Sequence, residues 1–99
     1  MNKKVLAFDF GASSGRAMLA EFDNVNRKIN MTEIHRFPNI PVVQNNTMYW
    51  DVLRLLSEMK QGILLAQKHG KIDAIGIDTW GVDFGMLDKD GQLIANPVH

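Results

Sequence analysis

Asp9 and the turn after it combine groups that suit the binding of a phosphate. Val5 to Phe8 are continuously apolar, as in a buried strand, and Asp9 then places a carboxylate where this predicted strand ends. Gly11 and Gly15 bracket the Ala-Ser-Ser of residues 12–14, so the backbone can take positive φ and another group can come close to its N–H donors. Because two hydroxyl groups lie beside those donors, the turn predicts a phosphate site.

This turn differs from a Walker-type phosphate loop. The sequence has no G-x-x-x-x-G-K-[S/T] here, and Ala17 to Ala20 continue as a strand rather than as a helix. A phosphate would therefore lie on a β-hairpin. The alternative from these residues alone is an ordinary glycine- and serine-rich hairpin in which Asp9 caps the turn, and short motifs of this kind recur by chance.

A second predicted strand, Ile72 to Asp78, is also apolar and also ends on an aspartate. The helix before it has Asp51 as its N-cap and Gly70 as its left-handed stop, and is long enough to deliver the strand parallel to the first. We therefore expect Asp9 and Asp78 to be neighbours at the carboxyl edge of an α/β sheet, where ligands collect. The predicted buried face of the helix consists of Val52, Leu55, Leu56, Met59, Ile63 and Ala66.

The rest of the chain predicts an antiparallel meander and peripheral turns. Ile29 to Phe37 read as a third strand, near the sheet edge because charged residues interrupt it. Val42 to Tyr49 are predicted to form a loop, and Asp90-Gly91 predicts a hairpin. The sequence after this hairpin has no closing element, so we expect the chain to be part of a domain.

Composition excludes several classes of protein. The 99 residues carry 11 basic and 11 acidic side chains and no cysteine, so disulfides and thiolate metal sites are excluded and there is no electrostatic case for nucleic acid or an anionic membrane. His35, His69 and His99 are too far apart for metal-ligand spacing and read as surface or loop residues. With no signal-peptide pattern, the expected location is cytoplasmic.

The element order and two motifs resemble the amino-terminal domain of the carbohydrate kinases of the FGGY type. The motifs are D-F-G-A-S-S-G-R at Asp9 to Arg16 and the more specific G-I-D-T-W-G-V-D-F at Gly76 to Phe84. The resemblance runs through the whole chain and implies a ribonuclease H-like mixed sheet of the actin and hexokinase ATPase type. Residues 1–99 would be the amino-terminal part of the first kinase domain, and the second domain would lie outside them.

The resemblance also implies the ligands. ATP and Mg²⁺ would be the cofactors, and L-rhamnulose, phosphorylated on its 1-hydroxyl, would be the small-molecule substrate. Asp9 would face the metal, and Gly81, with Trp80 and Asp83 beside it, would contact the sugar. The catalytic base would be an aspartate beyond His99. The residues expected to contact the ATP phosphates are Ala12, Ser13, Ser14, Gly15 and Arg16.

Several alternatives remain open at this point. Arg16 would equally suit an ion pair with a surface carboxylate, Trp50 and Trp80 would suit a core, and Asp83 would suit a turn cap. The chain would also fit another ketose or polyol kinase of the family, or a non-catalytic binding domain. A nuclease of the same fold would need Asp9, Asp78 and Glu58 around metal ions, but Glu58 should point away from that site.

As a fragment, the chain should be inactive, should bind nucleotide poorly and should self-associate through surface that the rest of the enzyme would cover.

Overall fold

Residues 2–99, which a computed structural model describes, contain six β-strands and one α-helix. No helix within this range has the length and apolar character that crossing a membrane requires. The elements are β1 (Lys3–Phe10), β2 (Ser14–Asp23), β3 (Lys28–Pro38), β4 (Val42–Gln44), β5 (Thr47–Tyr49), α1 (Val52–Gln67) and β6 (Ala74–Thr79).

Four strands form one mixed sheet in the order β3-β2-β1-β6. β1 pairs with β2, and β2 with β3, in antiparallel fashion, whereas β6 lies parallel to β1. A parallel neighbour requires a crossover connection, and α1 lies in that connection. The predicted meander, its third strand at the sheet edge and the crossover to a parallel strand are therefore confirmed.

The helix α1 has the start and stop that its sequence predicts. The Asp51 carboxylate accepts the backbone N–H of Arg54 at 3.1 Å, which satisfies one of the free donors of the first turn. Gly70 follows the helix with φ of 106°, which a residue with a side chain rarely adopts. Gly62 lets the helix approach the sheet closely, because a Cβ there would lie 2.8 Å from the Phe8 ring.

The core lies between α1 and one face of the sheet. Alternation along β1 directs every second residue to this face, so the intervening Asp9 lies on the other face. Leu56 is 45% exposed, and its predicted burial was wrong because α1 packs over β1, β2 and β3 and leaves its far side open. The buried residues of the core are Leu6, Phe8, Phe10, Ala17, Phe37 and Ala66.

Short hairpins complete the chain. β4 and β5 form an antiparallel pair where we predicted a loop, because Asn45 and Asn46 both adopt positive φ, at 49° and 61°. The Asp90-Gly91 hairpin forms as predicted, with a bridge between Leu87 and Leu93. The backbone N–H of Trp50 donates to the carbonyl of Pro97 at 2.9 Å, which ties the last residues to the region before α1.

Candidate functional site

Asp9, Arg16 and Asp78 lie side by side on three adjacent strands. In the sheet register Asp9 of β1 is opposite Arg16 of β2 and opposite Asp78 of β6, so the predicted proximity of the two aspartates is confirmed. Arg16 Nη1 donates to Asp9 Oδ2 at 2.5 Å. Arg16 Nη2 also donates to the carbonyl and hydroxyl oxygens of Ser14, at 3.2 and 3.1 Å. This ion pair is the alternative that the sequence left open for Arg16.

The three charged side chains at this edge carry one net negative charge, which favours a bound cation. Two carboxylates at one register position repel each other, and Arg16 offsets the charge of Asp9 only. Asp9 is half exposed, with only one of its oxygens bonded to Arg16. Within residues 2–99 no three acidic or histidine side chains cluster as a metal site. One or two carboxylates suit Mg²⁺, which keeps most of its waters, so these residues fit the ion that the family implies.

Three carbonyl oxygens at the turn between β1 and β2 are hydrogen-bonded within the protein. The Gly11 N–H donates to the Ser14 carbonyl at 2.9 Å, and the Gly11 and Ser13 carbonyls both accept from Asn39, each at 3.0 Å. In contrast, the N–H groups of Ala12 and Ser13 have no acceptor within the described range. The turn therefore presents free donors to solvent, as a phosphate site requires.

The two glycines of this turn serve a steric purpose and do not use the positive φ that glycine permits. Neither is among the glycines with positive φ. A Cβ on Gly11 would lie 2.7 Å from the Ser14 carbonyl oxygen, and a Cβ on Gly15 would lie 2.3 Å from Phe37 Cζ. Real Cβ atoms do not approach other atoms this closely. Glycine is thus required here by crowding rather than by backbone conformation.

Asn39 braces the turn and was missed by the sequence reasoning. It follows β3 directly and is only 6% exposed. Its side-chain Nδ2 donates to the Gly11 carbonyl, and its backbone N–H donates to the Ser13 carbonyl. An asparagine after a proline reads as an ordinary loop residue, so no local pattern distinguished it.

A second cluster forms around the carboxylate of Asp83. The indole N–H groups of Trp50 and Trp80 donate to its Oδ2 at 2.8 and 3.0 Å, and His99 Nδ1 lies 3.1 Å from the same oxygen. The hydrogen bond from Trp50, followed by that from His99, lowers the pKa of Asp83 below its ordinary value, against a small opposing effect of burial. The ring centroids of the two tryptophans are 4.5 Å apart. Trp50 is a core residue, as predicted, and Trp80 packs on it.

Comparison with known proteins finds similar sugar kinases. No protein-family model matches the chain. Over 92 residues, 92% of its length, the chain is 45% identical to Rhamnulokinase of Mannheimia succiniciproducens, of which it covers 19%. The chain is related to the FGGY-type carbohydrate kinases. It spans about a fifth of the length of the curated relative that it matches.

Solved structures of two sugar kinases share the fold of this chain. The gluconate kinase of Lactobacillus acidophilus superposes with a TM-score of 0.73 at 18% identity, over 99% of this chain and 20% of that one. A xylulose kinase of the same organism, with bound ligand, gives a TM-score of 0.68 at 17% identity, over 97% and 19%. The predicted fold, a partial domain of the ribonuclease H-like type, is confirmed.

The segment after β6 follows Asp78 at the same edge of the sheet. Gly81 has no atom within 4 Å of the position of a Cβ, and Val82 is 95% exposed with φ of 71°. A pocket of about 170 Å³ opens beside it, with Trp50, Trp80 and Asp83 among its lining residues. Of the predicted sugar-binding residues, Trp80 and Asp83 therefore line one pocket, whereas Gly81 lies outside its lining.

Glu58 lies outside this site, as predicted. Its Oε2 is 2.6 Å from His35 Nε2 and its Oε1 accepts from Arg54, on the side of the sheet that α1 covers. The prediction that His35 is a surface residue was wrong, because this contact holds its ring between β3 and α1 with 18% of the side chain exposed. A two-metal nuclease site built from Asp9, Asp78 and Glu58 is not assembled among residues 2–99.

Proposed function

We propose that this chain forms the phosphate side of the active site of an ATP-dependent sugar kinase that converts L-rhamnulose to L-rhamnulose 1-phosphate. The observation that carries the proposal is the turn of residues 11–14, whose free N–H donors lie beside Asp9 and Arg16 at one sheet edge. The 45% identity to Rhamnulokinase supports the choice of sugar. The proposal concerns a protein of the relatives' full length.

The nucleotide phosphates are held by backbone and side-chain donors in this proposal. The N–H groups of Ala12 and Ser13 and the hydroxyls of Ser13 and Ser14 face the phosphates, and Gly15 gives the turn its close packing. Arg16 would turn part of its guanidinium from Asp9 to a phosphate oxygen, and Asp9 would then be available to hold Mg²⁺ through water. Bound Mg²⁺ supplies charge neutralisation for the transferred phosphoryl group.

The sugar occupies the neighbouring segment after β6. Gly81 permits close approach of the sugar to the backbone, and the Trp80 ring offers an apolar face to its carbons. Asp83 Oδ2 is already engaged by both indoles, so only Oδ1 is available to a sugar hydroxyl. We propose that the catalytic base lies beyond His99. We also propose that the protein works in the cytoplasm.

The open edge of β6 supports a further part of the proposal, self-association of the isolated chain. Ile75 and Ile77 are more than half exposed on the same sheet face as Leu6 and Phe8, because α1 covers β1, β2 and β3 there but not β6. An apolar edge strand of this kind pairs readily with another chain. We propose that two copies associate here when nothing else covers the edge.

The test measures ADP release with L-rhamnulose, D-xylulose and gluconate, using this chain and a protein of the relatives' full length that contains it. We expect turnover of L-rhamnulose by the long protein alone. Asp9→Asn should lower turnover by at least about 100-fold with an unchanged circular dichroism spectrum. The control is Asp90→Asn, in the distant exposed hairpin. Unchanged turnover in Asp9→Asn would place the metal elsewhere, and a preference for another sugar would reassign the substrate.

A further inference from the structure

Asn39 is the polar side chain that the described part of the chain buries most completely. Burying an amide costs free energy unless its hydrogen bonds are made inside the protein. Asn39 Nδ2 makes one, to the Gly11 carbonyl at 3.0 Å. Its backbone N–H makes another, to the Ser13 carbonyl at 3.0 Å. Both acceptors belong to the turn that we propose to bind phosphate, 28 residues earlier in the chain.

These two hydrogen bonds fix the direction of the turn's donors. In a trans peptide the C=O of one residue and the N–H of the next point in opposite directions. Because Asn39 binds the Gly11 carbonyl, the Ala12 N–H points away from Asn39 and toward solvent. The bond to the Ser13 carbonyl fixes the peptide that carries the Ser14 N–H in the same way, whereas Asn39 makes no bond to the peptide that carries the Ser13 N–H.

The same bonds keep negative partial charge away from the open side of the turn. Carbonyl oxygens that faced an incoming phosphate would repel it. The Gly11 and Ser13 carbonyls are bound by Asn39, and the Ser14 carbonyl is bound by the Gly11 N–H and by Arg16. The side chain of Asn39 is the part of this arrangement that a substitution can remove while the backbone hydrogen bond stays.

We propose that Asn39 is a positioning residue, which holds the turn of residues 11–14 with its N–H donors toward a polyphosphate anion. The proposal rests on the proposed function of the turn. Asn39 itself touches no phosphate, because its side chain lies under the turn and is bonded to the Gly11 carbonyl. Its substitution therefore changes the affinity of the turn for the anion through the orientation of the Ala12 amide, which shares a peptide with the Gly11 carbonyl.

The experiment titrates the ¹⁵N-labelled 99-residue chain with sodium tripolyphosphate and follows the amide resonances of residues 11–16. In the wild type we expect the Ala12 and Ser13 amides to shift. Asn39→Ala should change the resonance of the Ala12 amide before any anion is added and should weaken anion affinity about fivefold, the effect of one hydrogen bond. The matched control is Asn30→Ala, which removes an exposed asparagine from β3 and should leave both readouts unchanged.

An amide with a merely structural role would lower thermal stability without changing anion affinity, so the anion affinity and the Ala12 amide shift decide. If Asn39→Ala does not fold, Asn39→Leu, which keeps the volume but has no donor, replaces it. Equal anion affinity in Asn39→Ala and Asn30→Ala, with a normal wild-type response, would overturn the positioning role alone. A wild-type chain whose turn amides ignore tripolyphosphate would overturn the phosphate site and this inference with it.

Discussion

Replacing Gly15 by alanine tests whether the turn is shaped by packing. A Cβ at this position would lie 2.3 Å from Phe37 Cζ and 2.6 Å from Cε2. The Phe37 ring is buried, with the Phe10 ring edge-on at 5.9 Å and the His35 ring at 5.6 Å. Because the ring has neighbours on both sides, it cannot move away freely. The strain must therefore be shared with the backbone of β2 and β3.

The magnitude follows from two opposing effects. Inserting a methyl group into a packed core costs about 1–3 kcal/mol. Loss of glycine from the unfolded chain returns about 0.4–1 kcal/mol. We therefore expect Gly15→Ala to lower the free energy of unfolding by about 1–2 kcal/mol, which lowers the melting temperature of a domain of this size by about 5–15 °C. Gly76→Ala in β6 is the control, because no atom lies within 4 Å of a Cβ there.

The assay is urea unfolding followed by circular dichroism, with the free energy extrapolated linearly to water. Gly76→Ala should be as stable as the wild type or slightly more stable. Combining Gly15→Ala with Phe37→Leu should cost less than the sum of the two single changes, because the smaller side chain gives the methyl group room. If Gly15→Ala is as stable as Gly76→Ala, or if the two changes are additive, the packing argument for this glycine is wrong.

Three other perturbations have defined outcomes. Asp83 has a lowered pKa in the folded chain, so it stabilises the fold above its ordinary pKa of 3.8 and loses that contribution as the pH falls through the lower folded value. The melting temperatures of Asp83→Asn and the wild type should thus differ at neutral pH and converge under acid conditions; a constant difference would contradict this. Ile77→Lys should reduce self-association in sedimentation velocity runs, whereas an unchanged distribution would place the interface elsewhere. Glu58→Gln, which weakens the contact with His35, should destabilise by up to about 1 kcal/mol in urea, and more than Glu33→Gln in an exposed pair; equal effects would mean that the helix contact contributes nothing.

The fold was predictable wherever one residue type settles the local structure. The Asp51 cap and the Gly70 stop each depend on a single side chain or its absence, and the alternation along β1 defines its buried face. Leu56 was misplaced because helical periodicity gives a stripe but not its width, which depends on how many strands the helix covers. The Asn45-Asn46 turn carried a hairpin pattern, but its strands of three residues are too short to show alternation.

The candidate site was predictable in its residues but not in its contacts. Two apolar strands that end on aspartates indicate a shared edge, and the register confirmed it. No local sequence pattern indicates that Arg16 pairs with Asp9, because that contact depends on the antiparallel register of β1 and β2. The contact of Asn39 with the turn depends on where β3 ends beside β2. That position is determined by the pairing of β1, β2 and β3 and not by any local sequence pattern.

The charges at the sheet edge bear on how the proposed phosphate site would work. Asp9, Arg16 and Asp78 together carry one net negative charge, so a polyphosphate meets repulsion here as well as the donors of the turn. At about 5 Å in water-like surroundings each pair of like charges costs on the order of 1 kcal/mol. Arg16 Nε is also buried without a hydrogen-bond partner, so this arrangement leaves one donor of a charged group unsatisfied.

Magnesium should therefore strengthen tripolyphosphate binding, because it offsets the charge that Arg16 leaves on the two aspartates. We expect about fivefold tighter binding with Mg²⁺ than with Na⁺ at matched ionic strength, equivalent to about 1 kcal/mol. In Asp9→Asn the difference between the two cations should shrink, while the Ala12 and Ser13 amides still shift because the turn itself is unchanged. A cation effect of the same size in Asp9→Asn would mean that Mg²⁺ acts on the anion alone, and that Asp9 serves only to hold Arg16.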